Sequence, residues 1–226
     1  MATPGRASNS RSQPNRAAIF KRHLVEPDEI RLMHLQPADG SDASNGSTTY
    51  CRLSVVSLTD HDYSPGFLGQ SAEKSVGYEA LSWCWGEDED KVAIKVCPPD
   101  EAKYLDFYVS KHLNSALQSL RHPSEKRSLW VDAICIDQGN TTERNSQVPK
   151  MDRVYGQASS VCVWVGEADD SSGLALSFIR DQILKKIWEF DEICANKKYT
   201  ASWAALINLM SRRWFSRVSP SIWRSR

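Results

Sequence analysis

The chain lacks paired cysteines, an excess of either charge and long apolar runs, and each absence excludes a class of protein. Its six cysteines stand singly, with no CxxC pair, so neither a zinc site nor a disulfide framework is indicated. The 28 basic and 28 acidic residues cancel, which leaves no overall field to attract nucleic acid or an anionic membrane. No apolar run approaches the length of a membrane span. We expect a cytoplasmic protein without metal, cofactor, nucleic acid or membrane, whose partners are proteins or further copies of itself.

The signatures of the common enzyme families are missing as well. The sequence contains no GxGxxG, P-loop, GxSxG, HExxH or EF-hand loop. Its five histidines stand away from the predicted strand ends, so we interpret them as surface or loop residues rather than as a catalytic acid or base. The acidic run at 87–90 is interpreted as a solvated loop.

Composition indicates one folded domain with a loose N-terminal end. A chain of 226 residues, with 41% hydrophobic and 25% charged residues, is long enough to bury one sizeable core. Residues 1–18 are too polar to offset their ordering entropy and lack the apolar core of a secretory signal, so we expect a disordered tail. Residues 19–75 are predicted to hold a strand pair and a linker, residues 76–218 the main domain, and residues 219–226 an atypical tail.

Two alternating runs precede the main domain. Residues 29–35 and 49–56 each alternate apolar and polar side chains, and the Gly, Ser, Asn and Asp-rich piece at 39–47 is typical of a loop. We predict an antiparallel strand pair at the edge of the fold, followed by a linker at 57–76.

The main domain is predicted to alternate strands and helices. Short apolar runs rich in aromatic and β-branched residues predict strands, at 78–86, 92–96, 104–109, 129–138 and 161–166. Ser110 is predicted to cap one helix, and a capping box of Asn140 and Glu143 to start another that Pro149 kinks or splits. Further helical stripes are predicted, namely Val148, Met151, Tyr155 and Ala158; Leu176, Ile179, Ile183, Ile187 and Phe190; and Trp203, Leu206, Ile207 and Met210. This order predicts an α/β fold, with a largely parallel sheet, flanking helices and the antiparallel N-terminal strand pair.

Polar and aromatic residues follow three of the predicted strands. Ligands of open parallel sheets bind outside the carboxyl ends of the strands, so one edge is expected to carry Trp85-Gly86, Asp137-Gln138 and Gly166-Glu167. A tryptophan there can stack on a nucleobase while polar groups position a ribose. The predicted ligand-binding residues are Ser82, Trp85, Gly86, Asp137 and Gln138. Turn formation and helix capping explain Asp137 and Gln138 almost as well.

Two aspartates interrupt the apolar run at 129–138. Asp132 and Asp137 are five residues apart, so on one strand they would point to opposite faces and not form one catalytic or metal-binding site. Asp132 is expected to be a structural carboxylate, held by backbone or arginine donors.

Several of these blocks, in order, resemble the fungal heterokaryon incompatibility (HET) domain. The blocks begin with Tyr78 to Gly86 and Leu129 to Gln138 and end with Val163-Trp164-Val165-Gly166. The resemblance spans residues 76–218 and assigns motif or structural roles to Tyr78, Trp83, Trp130, Asp132, Cys135, Glu143, Gln147, Met151, Tyr155 and Gly166. It implies a cytosolic fungal protein of non-self recognition, in which the domain triggers programmed cell death when incompatible cells fuse.

The resemblance extends distantly to Toll/interleukin-receptor (TIR) domains. It implies a flavodoxin/TIR-like sheet and, as an alternative function, hydrolysis of NAD as a substrate by a glutamate. HET proteins usually continue from an Arg/Trp-Phe-x-Arg-Val-Trp segment to Gln-Glu, whereas this chain departs after Arg213-Trp214-Phe215-Ser216-Arg217-Val218. The expected glutamate is missing. We therefore expect a truncated or misassigned C-terminus and, under the alternative function, an inactive enzyme.

Overall fold

The computed structural model describes residues 13–24, 26, 28–38, 48–58, 77–85 and 90–217. Within these residues the strands are β1 (Glu29–Leu35), β2 (Tyr50–Ser57), β3 (Glu79–Ser82), β4 (Lys91–Cys97), β5 (Leu105–Ser110), β6 (Arg127–Trp130) and β7 (Ser160–Val163). The α-helices are α1 (Arg16–Ile19), α2 (Lys111–Leu120), α3 (Asp132–Cys135), α4 (Thr141–Gln147), α5 (Met151–Gln157), α6 (Ser172–Phe178), α7 (Phe190–Ala195), α8 (Thr200–Met210) and α9 (Arg213–Arg217). Short 3-10 turns lie at Val148–Lys150, Ile187–Glu189 and Lys197–Tyr199, and a π-helical stretch at Ile179–Ile183. Every helix in these ranges is too short or too polar to cross a membrane.

The strands form one mixed sheet, in the order β5-β4-β2-β1-β6-β3-β7. β2 pairs with β4 in parallel, as does β6 with β3. β1 is antiparallel to both of its neighbours, and β5 is antiparallel to β4. The predicted α/β class, with helices flanking a sheet, is confirmed.

The N-terminal strand pair lies in the middle of this sheet. β1 and β2 are antiparallel as predicted, from Glu29 opposite Ser57 to Leu35 opposite Cys51. The predicted position at the edge is wrong, because β1 also pairs with β6 and β2 also pairs with β4. Side chains on both faces of β1 are also buried, including Ile30, Arg31, Leu32 and Met33.

The run at 129–138 is a strand only at its beginning. β6 ends at Trp130, and the residues that follow form the helical turn α3. Asp132 occupies the first helical position, where a carboxylate is favoured, and accepts the N–H of Ala133 at 2.8 Å, a local donor of the kind expected for it. The inference that Asp132 and Asp137 point to opposite faces of one strand is therefore wrong, since helical residues separate them.

Two other predicted strands are shorter than expected. β3 ends at Ser82, so Trp83 to Trp85 are not part of it. The strand predicted as buried at 161–166 is β7, which comes last in the sheet order, and its Val161 and Val163 are 47% and 45% exposed. The prediction of burial is wrong because β-branched residues suit any strand, including one with a single strand neighbour.

Helix α2 follows the prediction closely. The Ser110 hydroxyl accepts the N–H of Leu113 at 3.1 Å, and Leu113, Ala116 and Leu117 are buried. A hydroxyl at the N-cap and an apolar stripe at helical spacing therefore identified both its start and its buried face.

The helix predicted after Asn140 is split at Pro149, as expected. α4 ends at Gln147, a 3-10 turn holds the proline, and α5 follows. The predicted apolar face is partly wrong, because Val148 is exposed whereas Gln147 and Val154 are buried. A 3-10 turn has fewer residues per turn than an α-helix, so the stripe does not continue across it.

The tail predicted to be disordered is ordered in its last part. Residues 13–18 lead into α1 and contain its first three residues, and the neighbouring Ile19 and Phe20 are buried. Composition missed this because the contacts are made with distant strands. Outside the described residues lie residues 1–12, the loop at 39–47, residues 59–76 of the linker predicted at 57–76, residues 86–89 and residues 218–226.

The described residues divide into two compact units. The first takes residues 13–80 and 90–161 within the described ranges, and the second takes residues 81–85 and 162–217. Two apolar clusters form the core of the second unit, namely Ala175, Ala205 and Leu209, and Phe178, Ile193 and Leu206. The predicted helical stripes are wrong at Leu176, Ile187, Phe190, Ile207 and Met210, which are exposed. The π-helical stretch after α6 changes the helical register, so one stripe does not describe the segment.

Candidate functional site

Asp137 and Gln138 are held by contacts within the first unit. Asp137 Oδ1 accepts hydrogen bonds from Arg16 Nε at 2.5 Å and from the N–H of Gly139 at 3.1 Å. Gln138 Nε2 donates to the backbone oxygen of Asp132 at 2.8 Å. Both predicted ligand residues have intramolecular partners, which a ligand would share or displace.

A buried ion pair joins β1 to α4. Arg31 Nη1 and Nη2 donate to Glu143 Oε1 and Oε2 at 2.5 and 3.2 Å, and both side chains are buried. The guanidinium also donates to the backbone oxygens of Arg22 and Cys135, and it lies 5.0 Å from the centre of the Phe20 ring. Bidentate pairing and carbonyl acceptors supply partners for both terminal nitrogens of this buried charge.

Glu143 also holds the loop that carries Asp137. The N-cap half of the predicted capping box is confirmed, because Asn140 Oδ1 accepts the N–H of Glu143 at 3.1 Å. The return contact to Asn140 is wrong, because Glu143 Oε1 instead accepts the N–H of Asp137 at 2.7 Å. The N–H of Asn140 is already bonded to the backbone oxygen of Asp137 at 2.9 Å, so the carboxylate reaches further back along the chain.

Replacing Gly139 with alanine is expected to break the contact between Arg16 and Asp137. A β-carbon there would lie 2.6 Å from Arg16 Nε, so the guanidinium has to move away. We expect the free energy of unfolding to fall by about 1.5–3 kcal/mol, the value of a hydrogen bond to a charged group. Urea denaturation of Gly139→Ala, Arg16→Ala and the double variant measures this loss. Additive losses would contradict the explanation, because the second change should have little effect once the contact is gone.

The remaining predicted ligand residues belong to the second unit. Ser82 Oγ accepts the indole N–H of Trp214 at 3.1 Å, and the Ser82 backbone oxygen accepts the N–H of Trp164 at 2.8 Å. Trp83 and Trp85 stack with ring centroids 5.4 Å apart and planes inclined by 28°. Trp83 is buried whereas Trp85 is 42% exposed, so the pair presents an aromatic surface to solvent.

The structure brings Asp137 together with Gln138 in the first unit and Ser82 together with Trp85 in the second. Gly86 lies outside the described residues. A single site that contains all five residues stays a prediction.

Several motif residues have structural contacts. The Tyr78 hydroxyl donates to the backbone oxygen of Val154 at 2.6 Å, and Trp130 packs edge-on against Tyr155 with centroids 5.6 Å apart. Gln147 Nε2 donates to a backbone oxygen of β1 at 3.0 Å. These contacts fasten the helices α4 and α5 to the sheet.

Met151 and Gly166 differ in how clearly the structure explains them. Met151 is half-buried at the start of α5. Gly166 has a φ of 109°, a backbone conformation that strongly favours glycine. A turn requirement therefore accounts for Gly166 without a ligand.

Two groups with nucleophilic character are held in their protonated forms. Burial raises the pKa of the Cys135 thiol to about 12 and the pKa of the Tyr78 hydroxyl to about 12. Because the thiolate is the reactive form of cysteine, Cys135 suits packing rather than catalysis. In the part of the chain that the structure describes, no group of three or more His, Cys, Asp or Glu side chains is placed to hold a metal ion.

His34 is a half-buried residue of β1 that lies between two serines, rather than in a loop. Its Nδ1 is 2.9 Å from Ser128 Oγ and its Nε2 is 2.8 Å from Ser54 Oγ. Burial lowers the pKa of His34, and the nearby charges of Lys126 and Arg52 lower it further. The neutral ring, with one donor and one acceptor nitrogen, fits this pair of hydroxyls.

We expect stability to fall as the pH drops below about 6.5, the ordinary pKa of histidine. The pKa of His34 is lower in the folded than in the unfolded chain, so the unfolded chain takes up the proton first. His34→Gln keeps a donor and an acceptor but does not titrate. Its free energy of unfolding should therefore depend less on pH below about 6.5. Urea denaturation across that pH range measures it, with the exposed His23→Gln as the control. An unchanged pH dependence in His34→Gln would contradict the assignment.

A polar cluster in the second unit was not predicted. Arg212 Nη2 donates to Asp169 Oδ2 and to Ser172 Oγ, each at 2.7 Å, and Asn208 Nδ2 donates to Ser171 Oγ at 2.8 Å. The Arg212 guanidinium, with the two serine hydroxyls, holds the pKa of Asp169 well below its usual range. The cluster joins the start of α6 to the end of α8. An aspartate three residues before a serine, which bond each other across the turn before α6, is the local signal that could have indicated it.

Comparison with known proteins gives the same family that the sequence blocks between Tyr78 and Gly166 resemble. Residues 78–218 match the family described as "Heterokaryon incompatibility protein (HET)". The chain is 33% identical over 125 residues to the Neurospora crassa protein "Heterokaryon incompatibility protein 6, OR allele", covering 51% of this chain and 18% of that protein. It is 28% identical over 125 residues to the Podospora anserina "Vegetative incompatibility protein HET-E-1", covering 52% and 9%. The chain thus spans under a fifth of the length of either relative. No solved structure matches significantly.

Proposed function

Because the chain belongs to the heterokaryon incompatibility family, we propose that it is a signalling and effector domain of fungal non-self recognition that triggers programmed cell death through protein association. The family match over residues 78–218 carries this proposal. The two relatives, both named as incompatibility proteins, support the broader role. Association, cell death and a cytoplasmic location are parts of the proposal.

The contacts of the motif residues favour association over catalysis. Tyr78, Trp130, Glu143 and Gln147 are occupied in hydrogen bonds, ring packing or an ion pair within the fold. Trp85 differs because it keeps a substantial exposed surface. Tryptophan is among the residues that contribute most to protein interfaces, so we propose Trp85 as a partner contact.

We expect Trp85→Ala to weaken the effector output strongly. Inducible expression of the native chain in a fungal host should reduce viable colony counts, and Trp85→Ala should restore them about tenfold, as for loss of an interface residue worth ~1.4 kcal/mol or more. Trp188→Ala is the matched control, because Trp188 is 97% exposed, lies in the same unit and is outside the family-like blocks.

Two results would contradict these expectations. Normal growth at a matched level of native protein would contradict the role as a death effector. Equal counts for the native chain and Trp85→Ala, with killing intact, would contradict the role of Trp85 alone.

The stacked Trp83–Trp85 pair favours a second candidate function, hydrolysis of NAD. An exposed indole face offers a stacking surface for a nucleobase or nicotinamide ring. Incubation of the purified protein with NAD, followed by chromatography of free nicotinamide, tests this candidate. Release that Trp85→Ala abolishes would support it. Absence of release, also from a form in which a glutamate-bearing C-terminal segment is restored, would count against it.

A further inference from the structure

Two side chains near the N-terminus take the place of a neighbouring strand along β5. β5 is the first strand in the sheet order and pairs with β4 on one side. Gln13 Nε2 donates to the Tyr108 backbone oxygen at 2.5 Å, and Gln13 Oε1 accepts the N–H of Tyr108 at 2.9 Å. Asn15 Nδ2 donates to the Asp106 backbone oxygen at 3.0 Å. These are the backbone groups that an antiparallel neighbour would bond, so we call Gln13–Pro14–Asn15 the edge guard.

We propose that the β5 edge is a self-association surface, where the edge guard is replaced by β5 of a second copy of this chain. The exchange of both bonds between the Gln13 amide and Tyr108 reproduces one pair of an antiparallel ladder, so a real strand can take it over. This proposal rests on the association in the proposed function, and it names a second copy of the chain as the partner.

Among the described residues, the edge guard is the segment that has to move for this exchange. Ile19 and Phe20, which follow it, are buried in the first unit and keep α1 in place. Arg16 remains bound to Asp137 in the same way. Release of the edge guard gives up the bond from the Ile19 N–H to the Asn15 backbone oxygen at 2.9 Å, whereas the bond from the Phe20 N–H to the Arg16 oxygen at 2.9 Å can remain.

The geometry of β5 suits a second copy as occupant. Two β5 strands in antiparallel pairing are related by a two-fold axis, the arrangement of most closed dimers. The register that places Asp106 opposite Tyr108 of the second copy opposes no like charges, and each Asp106 is already paired with its own Lys95 at 2.7 Å.

Sedimentation velocity of the full chain over a range of concentrations tests the proposal. The double variant Gln13→Ala/Asn15→Ala removes the edge guard's hydrogen bonds, and we expect it to tighten dimerisation roughly tenfold or more. Asn145→Ala, which removes an exposed amide on α4, is the matched control and should leave the dimerisation constant unchanged.

The substitution Tyr108→Pro distinguishes pairing along the β5 edge from association through another surface. Proline is tolerated on an edge strand where the N–H points away from the neighbouring strand, as the N–H of Tyr108 does. Adding Tyr108→Pro to the double variant should return it to monomer. A normal circular dichroism melt shows that this variant is folded.

Hydrogen exchange gives a second measurement that needs no proline. In the double variant the amide of Tyr108 should exchange fast at low concentration and become protected at high concentration. Three results would each overturn the proposal. These are an unchanged dimerisation constant in the double variant, a dimer that persists after Tyr108→Pro is added, and protection of the Tyr108 amide that does not change with concentration. Because these readouts use purified protein, their failure is distinguishable from failure of the growth assay.

Discussion

Replacing Glu143 with alanine is expected to lower the free energy of unfolding by about 3–5 kcal/mol, because it leaves the buried guanidinium of Arg31 without its counter-charge. The loss includes a second partner, since Glu143 also accepts the N–H of Asp137 at 2.7 Å. Water cannot readily replace the carboxylate, because the Arg31 side chain is fully buried. Within the described residues, Arg31 Nε already lacks a hydrogen-bond partner, which leaves little room for compensation. Urea denaturation followed by tryptophan fluorescence measures the loss.

A matched pair of controls separates the charge effect from loss of side-chain volume. Glu125→Ala removes an exposed glutamate and should change stability by less than about 0.5 kcal/mol. The double variant Arg31→Met/Glu143→Leu removes both charges and should be more stable than Glu143→Ala, since no buried charge is left unpaired. A loss below about 1 kcal/mol in Glu143→Ala would contradict the assignment of this pair as a structural centre.

Elements with local signals could be predicted from the sequence. Ser110 marked the start of α2, and Pro149 marked the division between α4 and α5. The alternation at 29–35 and 49–56 correctly indicated an antiparallel pair. In each case the physical cause lies within a few residues of the element, as a cap, a missing N–H or a strand period.

The place of β1 in the sheet could not be predicted, because its second neighbour is remote in sequence. Alternation usually indicates a strand with one solvated face, on which a charged residue such as Arg31 is expected. In the structure β6 pairs along the second edge of β1, with Met33 opposite Leu129, and Glu143, 112 residues away, neutralises Arg31. Nothing near Arg31 in the chain indicates that partner.

The candidate site likewise combines residues that a local pattern identifies with partners that are remote in sequence. Asp137, Gln138 and Trp85 were predicted from strand ends and aromatic character, and the structure places Trp85 partly in solvent. The partners that decide the state of the polar side chains come from far away. Arg16 is 121 residues from Asp137, and Trp214 is 132 residues from Ser82. Local pattern therefore identified candidate residues but not which of their groups remain open to a ligand.

Phe20→Ala is expected to lower the free energy of unfolding by about 3–5 kcal/mol, the usual cost of removing a buried aromatic side chain. The Phe20 ring packs edge-on against Phe107, with centroids 6.0 Å apart, and lies under the Arg31 guanidinium at 5.0 Å. Truncation leaves a cavity at the position where the N-terminal segment meets β5 and β1, and it removes an aromatic face from a buried charge.

Urea denaturation measures this loss against two controls. Phe20→Leu keeps most of the volume and should lose less than about 1.5 kcal/mol, and the neighbouring exposed Lys21→Ala should change stability by less than about 0.5 kcal/mol. A loss in Phe20→Ala no larger than that of Lys21→Ala would show that the segment is not packed. The expected loss would instead make this segment part of the core of the first unit, although the family match begins only at residue 78. The fold would then depend on residues that the family resemblance does not cover.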